Sequence, residues 1–200
     1  MLHVLINNAG LNLSRRTMTV DGVETTFAVN HLAPFLLSHL LFDALKAAAP
    51  ARIINITSGL LQPIAFDDLR REERYRAMEV YAQSKMANVL FTYAFAQRIG
   101  GSGVTVNCVR PGLVRTNLGR DVRGLFGLFL SLMRPFMKTP EQAAEALLYL
   151  ASSPELAGVS GKCFAGTKET PSASAAYDLA AAERLWHIST QLTQRVLVVA

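Results

Sequence analysis

The stretch "HVLINNAG", residues 3–10, reads as a short apolar strand that stops on small polar residues and a glycine. The same plan returns twice. "ARIINITSG" (51–59) and "GVTVNCVRPG" (103–112) are again nearly continuous β-branched runs ending in small residues. A strand covered on both faces needs unbroken rather than alternating hydrophobicity, and such strands belong to parallel sheets. "GKCFAG" (161–166) is a shorter fourth candidate. Helical patterns fill the intervals: a Leu/Ala-rich region over 22–48 with a proline inside, and a long amphipathic stretch over 79–99. Thr139, Pro140 and Gln142 form a capping-box signature that opens a helix over 140–152. A last helix is expected from about Ala175 to Leu192. Strands alternating with helices predict βαβ units. The fold class is therefore α/β, a doubly wound parallel sheet of about four strands, in a single domain over 1–200.

Half of the residues are apolar and 18% are charged, which excludes a disordered chain. The net charge of +5 comes from scattered arginines, without a long basic run or a nucleic-acid motif, so no nucleic-acid partner is expected. Cys108 and Cys163 show no CxxC spacing and read as small core residues. The four histidines lack metal-ligand spacing, and no metal site is expected. No signal peptide is visible, and the longest lipophilic patch, "GLFGLFLSLM" (124–133), is too short to span a bilayer. A cytoplasmic protein without a membrane partner is the expectation.

In sheets of this kind, ligands bind beyond the carboxyl ends of the strands. Those ends are "NNAG", "TSG" and "RPG", each with small or polar residues where a backbone can approach a ligand. Between the second and third strands, "VYAQSKMANVLF" (80–91) places Tyr81 and Lys85 four apart, on one helix face. A free tyrosine, with a pKa of about 10, is a poor base at neutral pH, and a nearby ammonium favours the phenolate. Bringing the phenol to about 7–8 requires roughly 3–4 kcal/mol of differential stabilisation. Ser58 follows a strand and precedes a glycine, so its hydroxyl can stabilise a developing alkoxide; Thr57 is its neighbour and rival. Pro34 cannot donate to the carbonyl of Asn30, which should leave that carbonyl free and kink the helix.

"NNAG" (7–10), Asn30 in "FAVNHLAPF", Ser58 in "NITSG", "YAQSK" (81–85) and "RPGLVRT" (110–116) occur in that order. Together they resemble the short-chain dehydrogenase/reductase family. The resemblance implies a Rossmann-like fold and an NAD(P)-dependent interconversion of an alcohol and a carbonyl on a small-molecule substrate. It implies Asn30, Ser58, Tyr81 and Lys85 as catalytic residues. Tyr81 would exchange the proton, Lys85 would also hold the cofactor ribose, and the Asn30 carbonyl would hold a water linking the lysine to solvent. NAD or NADP would lie against Asn8, Ala9, Gly10, Tyr81, Lys85, Pro111, Gly112, Val114 and Thr116. The charged stretch "DDLRREERYR" (67–76), "SGKCF" (160–164) and "AERLW" (182–186) resemble the retinol dehydrogenase and WW-domain oxidoreductase branch, which implies a hydrophobic substrate. The apolar stretch 120–138 is expected to act as a substrate lid, and the final helices could build a homo-oligomer.

The family's glycine-rich TGxxxGxG is not in the sequence. The chain is therefore expected to be a truncated Rossmann-like fold, the C-terminal portion, with the first βαβαβ half absent. The strand at 3–8 would then be an exposed apolar edge, and cofactor affinity would fall because that half supplies the pyrophosphate contacts. The alternative is a catalytically inactive fragment, or a binding or scaffold module that has lost the cofactor.

Overall fold

The computed structural model describes residues 1–115 and 137–197, so Thr116 and nearly all of the expected lid lie outside the described residues. Strands β1 (Val4–Asn7), β2 (Ala51–Ile56), β3 (Val104–Arg110) and β4 (Cys163–Ala165) pair side by side in that order, all parallel. The four are the four apolar runs of the sequence. A fifth strand, β5 (Lys168–Glu169), pairs antiparallel with β4 and ends the sheet. It is two exposed polar residues long, and nothing in its own sequence marks it. β1 forms the other edge, with Ile6 39% exposed, the apolar edge expected from the sequence.

Each inner strand sends alternate side chains to opposite faces. Ile53, Val104 and Val106 pack against Phe91 and Phe95 of α4 (Ala77–Arg98) on one face. Ile54, Ile56 and Val109 pack against Ala146 and Leu150 of α5 (Pro140–Ser152) on the other. Both faces are covered, which is why the runs are continuous rather than alternating. The first face is completed by α6 (Leu179–Leu197), whose Trp186 meets Phe35 and Phe91 at ring-centroid distances of 5.2 and 6.1 Å. Cys108 and Cys163 are buried register partners on β3 and β4, both free, as core residues should be. The Thr139 capping box forms as read: Gln142 N–H donates to the Thr139 hydroxyl, and the Gln142 amide oxygen accepts from Thr139 N–H.

The helical region over 22–48 is not one helix. It comprises α1 (Thr25–Phe27), a π-helical turn (Ala28–Leu32), α2 (Ala33–Leu40) and α3 (Phe42–Ala47). Pro34 has no N–H to give, and the chain answers by widening: Ala33 N–H bonds to the Ala28 carbonyl, five residues back. The expected kink is thus a π turn, with Asn30 inside it. The final helix starts at Leu179, after a 3₁₀ turn over Ser174–Tyr177, rather than at Ala175.

Candidate active site

The long helix α4 carries a polar stripe into the interior. Tyr81, Ser84, Lys85, Asn88 and Thr92 are all buried, at spacings that keep them on one side of the helix. Lys85 is 3% exposed, and its ammonium donates to the Ile56 carbonyl at 3.2 Å. That carbonyl lies beyond the end of β1, where no neighbouring strand residue takes it. Burial disfavours the charged amine and holds the Lys85 pKa down at about 8. The amine is still mostly protonated at neutral pH.

Tyr81 lies beside it, with Lys85 Nζ 5.6 Å from the ring centroid. Burial pushes the phenol above its ordinary value, and the nearby Ser58 hydroxyl acts in the opposite direction. The net direction is upward, opposite to the sequence expectation. Desolvation of the phenolate outweighs a cation that sits against the ring rather than at the hydroxyl. At neutral pH Tyr81 is a protonated donor. Ser58 is half-buried, and its hydroxyl also accepts from Leu60 N–H at 3.1 Å. Its rival Thr57 is otherwise engaged: its hydroxyl donates to the Lys85 carbonyl at 3.0 Å and ties α4 to the end of β2.

Asn30 acts here through its side chain. Its Nδ2 donates to the Leu11 carbonyl at 2.9 Å and to the Ser84 hydroxyl at 3.0 Å, while its Oδ1 accepts from Leu11 N–H at 2.8 Å. The pair of bonds to Leu11 pins the chain just past "NNAG". Ser84 in turn donates to the Tyr81 carbonyl at 2.7 Å. Gly10 completes the cluster. A Cβ at this position would come to 3.3 Å from both Asn30 Oδ1 and Lys85 Nζ, so the absence of a side chain lets the loop lie against both.

Gly10, Asn30, Ser58, Tyr81 and Lys85, five of the expected site residues, therefore stand together. Asn8 and Ala9 are exposed in the same loop. Pro111, Gly112 and Val114 follow the end of β3. Gly112 has φ +90°, a conformation that favours glycine, and Val114 bridges to Lys138. The described backbone bonds there run to Lys138: Lys138 N–H donates to the Leu113 carbonyl and Arg115 N–H to the Lys138 carbonyl, both at 2.9 Å. Thr116 lies outside the described residues.

Sequence reasoning missed the polar support under the site. Asn7 Nδ2 donates to Asn55 Oδ1 at 2.8 Å, Asn55 Nδ2 to the Thr92 hydroxyl at 2.9 Å, and the Thr92 hydroxyl to the Asn88 carbonyl at 2.7 Å. One signal could have revealed half of it. Polar residues at 81, 84, 85, 88 and 92 keep helical spacing along one side of the helix.

The sheet is covered on both faces, with a buried Tyr–Lys pair and a Ser at its strand ends, the arrangement that the sequence resemblance implied. The model of the short chain dehydrogenase family matches residues 1–124, and the chain belongs to that family. It is 46% identical over 196 residues to human retinol dehydrogenase 14, a match covering 94% of this chain and 57% of that protein. It is also 46% identical to human retinol dehydrogenase 13, over 94% of this chain and 60% of that one. The chain thus spans less than two thirds of the length of these relatives. Among solved structures, an uncharacterised protein from Mycobacterium paratuberculosis superposes with a TM-score of 0.70 at 26% identity, covering 96% of this chain and 67% of that one. NADPH-bound carbonyl reductase from chicken fatty liver superposes with a TM-score of 0.60 at 25% identity, covering 86% and 66%.

Proposed function

We propose that this chain carries the proton-transfer machinery of an NAD(P)-dependent oxidoreductase that interconverts an alcohol and a carbonyl on a lipophilic substrate. One observation carries the reading: a buried phenol beside the Ser58 hydroxyl, with a buried ammonium against its ring. The relatives named retinol dehydrogenase support the oxidoreductase class and a hydrophobic substrate.

The residues present fit a nicotinamide cofactor. Gly10 leaves open the space that a Cβ would fill beside Asn30 and Lys85. The Lys85 ammonium has three N–H donors, and one is directed to Ile56, which leaves two for the hydroxyls of a sugar. Asn8, Ala9 and Gly10 would face the cofactor from one side, with Pro111, Gly112, Val114 and Thr116 on the other. The bound cofactor supplies or accepts the hydride.

The chain's own groups handle the proton. Tyr81, held protonated by burial, gives its hydroxyl proton to the carbonyl oxygen of the substrate, or takes it back from the alcohol. Ser58 donates a hydrogen bond to the same oxygen as its charge develops. The Lys85 cation stabilises the phenolate left behind, an interaction strengthened by the low exposure of both groups. Asn30 holds the Leu11 backbone so that Gly10 stays against the lysine. We read the chain as the C-terminal portion of the family fold.

The test is hydride transfer to or from a hydrophobic aldehyde or alcohol, followed by nicotinamide absorbance at saturating cofactor. Tyr81→Phe should lower the rate at least about a hundredfold, the usual contribution of a positioned acid–base group. Equal rates in the two proteins would remove Tyr81 from the mechanism. Titration with cofactor distinguishes the module reading, since a scaffold that has lost the cofactor would show no saturation.

A further inference from the structure

Three side chains form a directed chain of hydrogen bonds that ends on the carbonyl holding Lys85. Asn88 Nδ2 donates to the Ile56 carbonyl at 3.1 Å, the same oxygen that Lys85 Nζ reaches at 3.2 Å. With its amide nitrogen so used, Asn88 presents Oδ1 to His31 Nδ1 at 3.3 Å. Oδ1 only accepts, so Nδ1 carries the imidazole proton. His31 Nε2 is then an acceptor, and the Ser189 hydroxyl donates to it at 2.9 Å. His31, Ser189 and Asn88 are all 1% exposed or less. Burial holds the His31 pKa at about 4, so the ring is neutral and keeps this tautomer at physiological pH.

Every bond in the series points the same way, from Ser189 through His31 and Asn88 to Ile56. Aligned bonds polarise one another, strengthening each by roughly 10–30%. The Asn88 amide is therefore a strong donor to the oxygen it shares with Lys85, and a carbonyl shared by two donors is a weaker acceptor for each. The relay also reaches across the chain: Ser189 belongs to α6, at the opposite end of the sequence from His31. The family resemblance assigns a role to none of its members.

We propose that Asn88 is a positioning residue for Lys85, aimed by His31 and Ser189, so that the C-terminal helix sets how tightly the site's lysine is held by the Ile56 carbonyl. This rests on the reading of Lys85 as the cation of the site. The relay fixes the oxygen in place and limits its grip on the ammonium, leaving the amine's remaining donors for a ligand. Among the described residues, the titratable groups facing Lys85 are Tyr81, on its own helix, and the neutral His31 behind Asn88. The β2 residues against it, Ile56 and Thr57, and the loop residue Gly10 carry no charge.

The experiment is an NMR titration of the Lys85 ¹³Cε resonance in the 200-residue chain, assigned with Lys85→Met. It needs neither cofactor nor turnover, so a chain without hydride-transfer activity still decides the matter. Asn88→Leu leaves the Ile56 oxygen to the ammonium alone, and the midpoint should rise by at least half a pH unit from about 8. His31→Phe, which suits the ring cluster of Phe27, Phe35 and Phe91, and Ser189→Ala should raise it by successively smaller amounts. A midpoint that stays put or falls in folded Asn88→Leu overturns the proposal. Should that variant not fold, a rise in either of the other two supports the relay, and no rise in both overturns it.

Discussion

The two halves of α4 lie on the same sheet and bury opposite chemistry. From Tyr81 to Asn88 the helix turns a phenol, a hydroxyl, an ammonium and an amide inward. From Val89 to Phe95 it turns Val89, Leu90, Phe91 and Phe95 inward, with Phe91 and Phe95 stacked at 5.2 Å and Trp186 of α6 packed against both. The second half contributes stability by removing apolar surface from water. The first half gives some of that stability up, because a buried ammonium and phenol have lost their hydration. The difference follows position: the polar half meets the carboxyl ends of the strands at the Ile56 carbonyl, and the apolar half meets the strand interiors.

Substitutions can break this contrast from either side. The largest effect belongs to the apolar half. Phe91→Ala should cost about 3–5 kcal/mol by transfer and cavity terms, read as a lower midpoint in urea, while residual folded protein keeps its Lys85 titration. Loss of less than about 1 kcal/mol would mean that the ring cluster is not the anchor of the helix.

The polar half should behave in the reverse sense. The Lys85 pKa falls from 10.5 to about 8 on folding, so the unfolded chain binds more protons between those values. Below pH 8 both states are charged and the folded state carries the whole burial penalty, about 3 kcal/mol. From pH 8 to 10.5 that penalty is relieved, and wild-type stability should rise against the variant. Lys85→Met is therefore expected to be more stable than wild type at pH 7 by up to about 3 kcal/mol, with the gap closing towards pH 10.5 and hydride transfer lost. Parallel denaturation curves at pH 7 and 10.5 check it, and a less stable variant at pH 7 would contradict the assigned penalty.

Where the halves meet, Thr92 both accepts from Asn55 and donates to the Asn88 carbonyl. Thr92→Val keeps the shape and leaves Asn55 Nδ2 without that acceptor, a loss of about 1–3 kcal/mol. Its midpoint shift should be the smallest of the three. A neutral outcome would show that the ladder from Asn7 to Asn88 relaxes without it.

Much of the fold was legible. The four parallel strands are continuous apolar runs because both sheet faces are covered, and that requirement is written in the residues themselves. The Thr139 capping box is local and formed as read. β5 was not legible, since its only determinant is the neighbouring β4. The breaks in the 22–48 region were only half legible. Pro34 announced a disturbance, but whether the helix bends or widens depends on how Asn30 is tied to Leu11 and Ser84. In the site, Gly10, Asn30, Ser58, Tyr81 and Lys85 were all named in advance. Ser84, Asn88, His31 and Ser189 were not, because single polar residues carry no motif and their partners lie far along the chain.

The sequence by itself determined the periods and the spacings: which runs form strands, which helix presents Tyr81 beside Lys85, and where small residues end the strands. These follow from backbone geometry and from side-chain size, which act within a few residues. Only the tertiary structure decided the charge states. The phenol moves up rather than down, and the lysine falls to about 8, because each loses water to elements distant in sequence. Desolvation is a property of the assembled neighbourhood, and no local pattern of residues encodes it.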